Sequence, residues 1–159
     1  MASWFRHIHF GEYDCRIVPA LTSVNTNMKN TSEELEAVFG ALAEPTRLRL
    51  LNLMGDGEVC VCFFVEVLGQ PQPKISRHLA VLRNAGLVAA RREAKWMHYS
   101  IAMPKHPTAR RVFQQTLEAL KTDPEMQRDR SSLTRACCST RGPALLKRAP
   151  KPEFIEPRS

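Results

Sequence analysis

The chain of 159 residues contains no apolar run long enough to cross a bilayer, and residues 1–27 lack the continuous apolar stretch of a secretory signal. A cytoplasmic location without a membrane partner is therefore expected. There, the five cysteines are expected to be reduced thiols, open to metal or redox chemistry rather than committed to structural disulfides. No cysteine is followed six residues later by arginine, so the anion cradle of a thiol-dependent reductase is missing. Nor does any paired acid–base set stand out, and an enzyme is not expected. No internal repeat is visible.

What is present is an ordinary globular composition, 43% hydrophobic and 25% charged, enough for one domain with tails. The net charge of +7 favours a polyanionic partner, and its distribution says more. Residues 31–69 hold seven acids against Arg47 and Arg49, whereas residues 70–100 hold six bases against Glu93. Such segregation suits one basic face for phosphates with an acidic scaffold behind it.

Hydrophobic periodicity divides the chain into a succession of helices. Residues 1–30 show no sustained period and read as a poorly ordered extension. Met28, just before the first clear helix signal, is a possible start of translation. His7, His9 and Cys15 in the extension read as chance occurrences. Ser32 with Glu33 and Glu34 suits a helix N-terminus. Leu35, Val38, Phe39 and Leu42 make its stripe, ending near Ala43. Pro45 suits the first position of a second helix, apolar nearly all round and so buried, which Gly55-Asp56-Gly57 ends. Glu58–Leu68 reads as a third helix.

In QPKISRHLAVLRNAG, Ile75, Leu79 and Leu82 form the apolar stripe of a short amphipathic helix that Gly86 terminates. The following LVAARREAKWMHYSI reads as two strands meeting near Glu93 to Lys95. A basic helix followed by a basic hairpin is the pattern of a winged helix-turn-helix DNA reader, although the helix alone could be a solvated surface helix. Gln72, Lys74, Ser76, Arg77 and His78 are best placed for base edges and flanking phosphates, and Arg91, Arg92 and Lys95 for phosphates or the minor groove. His78 could equally be a packed or solvated histidine. Beyond Pro104 and Pro107, Val112, Phe113, Thr116, Leu117 and Leu120 form another stripe, and Asp123-Pro124 opens a last helix running to about Cys137. Prolines and charges from Ser139 onward read as a mobile tail. The expected architecture is mainly α: an extension over 1–30, a winged helix-turn-helix domain with a two-stranded wing over 31–104, C-terminal helices over 105–138 and a disordered tail over 139–159.

The thiols fall into two pairs. Cys60 and Cys62 point opposite ways on an ideal helix and could share an ion only if the first turn is unwound. A helix N-terminus would favour the thiolate there. Cys137 and Cys138 form the second pair. Thiolates without companion His or Asp select soft ions, while the plain alternative is small buried hydrophobes.

ALAEPTRLRLLNLM, EVCVC, QPKISRHLAVLRNAGLV and RREAKWMHYSI follow in unbroken order from about Glu33 to Ile101. Together they resemble the ArsR-type (ArsR/SmtB) metalloregulatory repressors of the arsenic-responsive Cys-Val-Cys kind. The resemblance implies a homodimer that binds double-stranded operator DNA without a cofactor and leaves it when arsenite or antimonite binds Cys60 and Cys62. Departures accompany it. Val65 stands where many members carry a third cysteine, so a pyramidal three-thiolate site would recruit Cys137 or Cys138, or less readily Cys15. Phe63 stands where the family carries an acidic residue. Pro71 replaces the serine that caps the reader helix, and Ala94 replaces the glycine of the wing turn. Of the family's His and carboxylate site after the wing, only His106 and Glu118 remain, and that site is taken as absent. Leu35, Phe39, Phe113 and Leu117 are expected at or beside the dimer interface. A thiol-redox sensor, or a sensor of cadmium or lead type, is the alternative on the same scaffold.

Overall fold

The computed structural model describes residues 26–55, 57–138, 146 and 148–152, with side chains from Thr31 onward. Its elements run α1 (Thr26–Leu42), α2 (Pro45–Met54), β1 (Val59–Cys60), α3 (Val61–Leu68), α4 (Gln72–Asn84), β2 (Val88–Glu93), β3 (Trp96–Ile101), α5 (Pro107–Thr122) and α6 (Pro124–Cys138). The mainly helical winged helix-turn-helix architecture read from the sequence is borne out. Two details differ.

First, α1 begins at Thr26 and passes through Ser32, so residues 26–30 belong to a helix rather than to an extension, and Met28 lies within it. Ser32 is a tolerated interior residue, not a cap. His7, His9 and Cys15 lie outside the described residues. Second, Glu58–Leu68 is not one helix. Val59 and Cys60 pair antiparallel with Tyr99 and His98, so the hairpin expected as a two-stranded wing is a three-stranded sheet in the order β1-β3-β2. Val59 and Cys60 are both fully buried, and a β-branched residue beside a small thiol suits an extended, covered segment better than a helical turn.

The core forms where α2 is enclosed. Leu50, Leu51, Leu53 and Met54 are fully buried, as the all-round apolar pattern requires. Phe63 and Phe64 of α3, the stripe of α4 and Phe113 of α5 join them. Each such side chain contributes about 1.5–3 kcal/mol by leaving water. Glu44 caps α2, its carboxylate accepting a hydrogen bond from Arg47 N at 2.9 Å. Asp123 caps α6 as expected, accepting from Glu125 N at 2.8 Å and Met126 N at 3.1 Å.

Helix α6 docks on α2 and α3. Arg49 donates to the buried Asp129 through Nε and Nη2 at 2.6 and 2.7 Å, and Asn52 Nδ2 donates to Met126 O at 2.9 Å. Charge-assisted forks of this kind contribute about 1.5–3 kcal/mol and fix orientation. Part of the expected mobile tail is packed: Leu146 and Ala149 are buried, while 139–145, 147 and 153–159 lie outside the described residues. Phe113 is also corrected. It is fully buried within the single chain, so it supports the fold and does not face a second copy. No helix among the described residues is long and apolar enough to cross a membrane.

Candidate nucleic-acid interface and thiol site

Helix α4 buries Ile75, Leu79 and Leu82 completely against α2 and α3 and keeps its other faces outward. Its first turn has no side-chain cap, because Pro71 supplies only its carbonyl, which accepts from Lys74 N at 2.9 Å. The uncapped amides leave that end electropositive, which favours a phosphate nearby. Gln72, Lys74 and Arg77 are exposed and Ser76 is half-buried, all on the outward side of the helix. His78 is held back: its Nδ1 lies 3.3 Å from Glu44 Oε2, the same oxygen that caps α2. That contact ties His78, largely covered, to the scaffold.

In the wing, Arg92 and Lys95 are exposed; Arg92 Nε donates to Ala94 O, and the Lys95 ammonium lies 5.1 Å from the Trp96 ring centre. Arg91 differs from the expectation of a free phosphate contact. Its guanidinium donates to Glu58 from Nε and Nη2 at 2.9 and 2.6 Å, and to Glu93 from Nη1 at 3.0 Å. Hydrogen bonds from Arg91 hold the Glu58 carboxyl below the usual carboxylate range. Glu58, counted from the sequence as scaffold charge, thus stands in the basic face. No signal in the sequence places it there, because only the pairing of Val59 and Cys60 with β3 brings the preceding Glu58 beside Arg91. The buried His98 was also missed. Its Nε2 has no hydrogen-bond partner and lies 3.8 Å from Glu93 Oε2.

The thiol pair sits where β1 becomes α3. Cys60 is the last extended residue (φ −68°, ψ 140°) and caps α3, which brings its sulfur to 2.8 Å from that of Cys62. An unwound first turn is therefore the observed state, and two sulfurs that an ideal helix would separate converge. Cys60 is fully buried and Cys62 is 8% exposed. The Cys62 S–H donates to Cys60, which lowers the Cys60 thiol to about 7 although burial opposes it. Cys62, left holding the shared proton beside that charge, is pushed strongly upward. One thiolate with a thiol against it suits a soft, thiophilic ion.

The second pair is not brought to the first. Among the described residues no three His, Cys, Asp or Glu side chains form a metal-holding group. Cys137 is buried, its thiol raised to about 11 by burial and then by Cys138, with Lys151 opposing, whereas Cys138 is exposed. His106 caps α5 instead of forming a ligand set: its Nδ1 accepts from Thr108 N, and its Nε2 lies 2.8 Å from Thr31 Oγ1.

Residues 44–90 match the family model of bacterial regulatory proteins of the arsR family. An arsenic resistance transcriptional regulator of Pseudomonas putida, ArsR2, is 40% identical over 83 residues, covering 52% of this chain and 72% of that protein. The chain belongs to the arsR family. An arsenical resistance operon repressor of Escherichia coli is 48% identical over 66 residues, 41% of this chain, and the match spans only 56% of that repressor. The homodimeric winged helix-turn-helix DNA-binding domain of a possible ArsR-family regulator from Mycobacterium bovis superposes with a TM-score of 0.52 at 27% identity, covering 64% of this chain and 91% of that one. Membership accounts for the association of a reader helix with a wing.

Proposed function

We propose that this arsR-family protein is a transcriptional repressor that binds operator DNA as a homodimer and is released when trivalent arsenic or antimony binds Cys60 and Cys62. The convergence of the two sulfurs at 2.8 Å, on the strand that joins the wing sheet and the helix that precedes the reader, is the observation that carries this reading. Gln72, Lys74, Ser76 and Arg77 of α4 enter the major groove, and Arg92 and Lys95 hold flanking phosphates. His78 orients the reader helix through Glu44, and Arg91 contacts phosphate only after leaving its carboxylates. A two-fold dimer would set the reader helices one DNA turn apart, ~34 Å.

Two thiolates hold a soft ion, and a pyramidal arsenite site takes a third. Cys137 or Cys138, on the helix that packs against α3, is the donor we assign, and reaching it requires the end of α6 to move. That movement would strain α3 and, across the short turn at Gly69-Gln70-Pro71, the spacing of the reader helices. Coupling of ~1–3 kcal/mol would loosen the operator 5–150-fold.

The test is fluorescence anisotropy of duplex DNA from upstream of the protein's own gene, titrated with arsenite, antimonite, methylarsenite, cadmium, lead and peroxide. Release by arsenite at the lowest concentration supports the reading. Release by cadmium or lead alone would make the protein a divalent soft-metal sensor, and release by peroxide alone a redox sensor.

A further inference from the structure

We propose that Glu58 is an intramolecular stand-in for a DNA phosphate at Arg91, so that the wing meets DNA with one of its cations already occupied. The inference rests on the reading of the wing as a DNA contact. Arg91 Nε reaches both Glu58 oxygens, Oε1 at 3.2 Å and Oε2 at 2.9 Å, and Nη2 donates to Oε2 at 2.6 Å, so the Nε–Nη2 edge that a guanidinium offers a phosphate faces the carboxylate. Arg91 cannot present that edge to both. Glu93 accepts from Nη1 at 3.0 Å, so the single cation faces two carboxylates and the cluster carries a net negative charge.

The pair is placed to exchange. The side chains of Arg91 and Glu58 are 52% and 39% exposed, so a phosphate can approach without unpacking anything. An exposed pair of this kind is only weakly held in water. Glu58 cannot drift away when Arg91 leaves, because the pairing of Val59 with Tyr99 and of Cys60 with His98 fixes the strand that follows it. Its charge therefore stays beside the incoming backbone. DNA binding must displace it from the guanidinium and then tolerate it nearby. Because Glu58 leads into the strand that carries Cys60, any shift of that strand also moves the carboxylate that occupies Arg91.

The experiment is a salt series of anisotropy titrations on two duplexes, one from upstream of the protein's own gene and one scrambled. The proteins are the wild type, Glu58→Gln, Arg91→Gln and the double variant. Glu58→Gln is expected to bind both duplexes several-fold more tightly at each salt concentration, because the guanidinium no longer has to leave that carboxylate. The double variant is expected to lose that gain. Unchanged binding by Glu58→Gln, or a gain that survives in the double variant, overturns the proposal. If Glu58→Gln melts early by circular dichroism, Glu58→Ala replaces it: it also frees the guanidinium and is expected to bind more tightly than the wild type, while equal or weaker binding overturns the proposal. If the wild type binds neither duplex, the reading of the wing fails and the competition with it; if it binds and the variants do not differ, only the competition fails.

Discussion

Cys60 stands directly opposite His98 across β1 and β3, so the strand that carries the first thiol is also an edge strand of the wing sheet. One residue further on, the same segment becomes α3, whose far end is a single short turn from the reader helix. In the proposed reading, an ion held by Cys60 and Cys62 would act at a junction with two outputs, one into the wing and one into α4. Neither output needs a long path, because strand pairing and a rigid helix carry the displacement.

The shared proton of the thiol pair should be visible directly. Absorbance at 240 nm is expected to report one thiolate titrating at about 7, from Cys60, and none from Cys62 until strongly alkaline pH. In Cys62→Ala the donor is gone, and the Cys60 inflection should move up toward the ordinary thiol value. The sign for stability follows. Cys60, lowered in the folded state, contributes stability above its unfolded pKa of about 8.5 and loses it as pH falls through 7. Cys62, raised, contributes below its unfolded value and loses that contribution as pH rises beyond it. Their joint contribution should therefore peak near pH 8.5. A Cys60 inflection unmoved in Cys62→Ala would mean that the sulfurs are not hydrogen-bonded.

Assembly should depend on Phe39 and not on Phe113. Phe39 on α1 is 55% exposed, and on α5 Val112 and Thr116 line an open apolar patch, whereas Phe113 is fully buried. Phe39→Asp is expected to sediment as a folded monomer with weakened DNA binding, because each half-site alone holds poorly. Phe113→Asp should instead unfold the chain, since an unpaired buried carboxylate costs several kcal/mol. A Phe39→Asp protein that remains dimeric would place the interface elsewhere.

Most of the helical frame was legible because each helix carries its own periodic stripe, and Leu79 or Leu50 can be placed without knowledge of any partner. The strand at Val59–Cys60 was not legible. Two residues show no period, and only their pairing with Tyr99 and His98 makes them extended. For the same reason the ion pair between Glu58 and Arg91 escaped the charge count, which sums along the chain while the sheet folds an acid of one segment onto a base of another. The convergence of Cys60 and Cys62 was legible as a condition, an unwound first turn, and the strand supplies it. The burial of Phe113 escaped too, because a stripe declares that a face is covered but not by what.

The wing turn stores strain at Ala94, which adopts a positive φ of 51°. A residue with a Cβ is disfavoured there by roughly 1–2 kcal/mol, partly offset by the greater freedom that glycine has in the unfolded chain. Ala94→Gly should therefore stabilise the protein by about 0.5–1 kcal/mol, raising the melting temperature by a few degrees without changing affinity for operator DNA. A lower melting temperature would show that the turn is not held in this conformation.

The central claim is that the converged thiols at the β1–α3 junction are the inducer site. The most direct test is an arsenite titration of the protein–DNA complex formed by Cys60→Ser and by Cys62→Ser, followed by fluorescence anisotropy. Both variants are expected to bind the upstream duplex with wild-type affinity, because neither sulfur belongs to the reader helix or the wing tip, and to stay bound at arsenite concentrations that release the wild type. Release of either variant at the wild-type arsenite concentration would contradict the account.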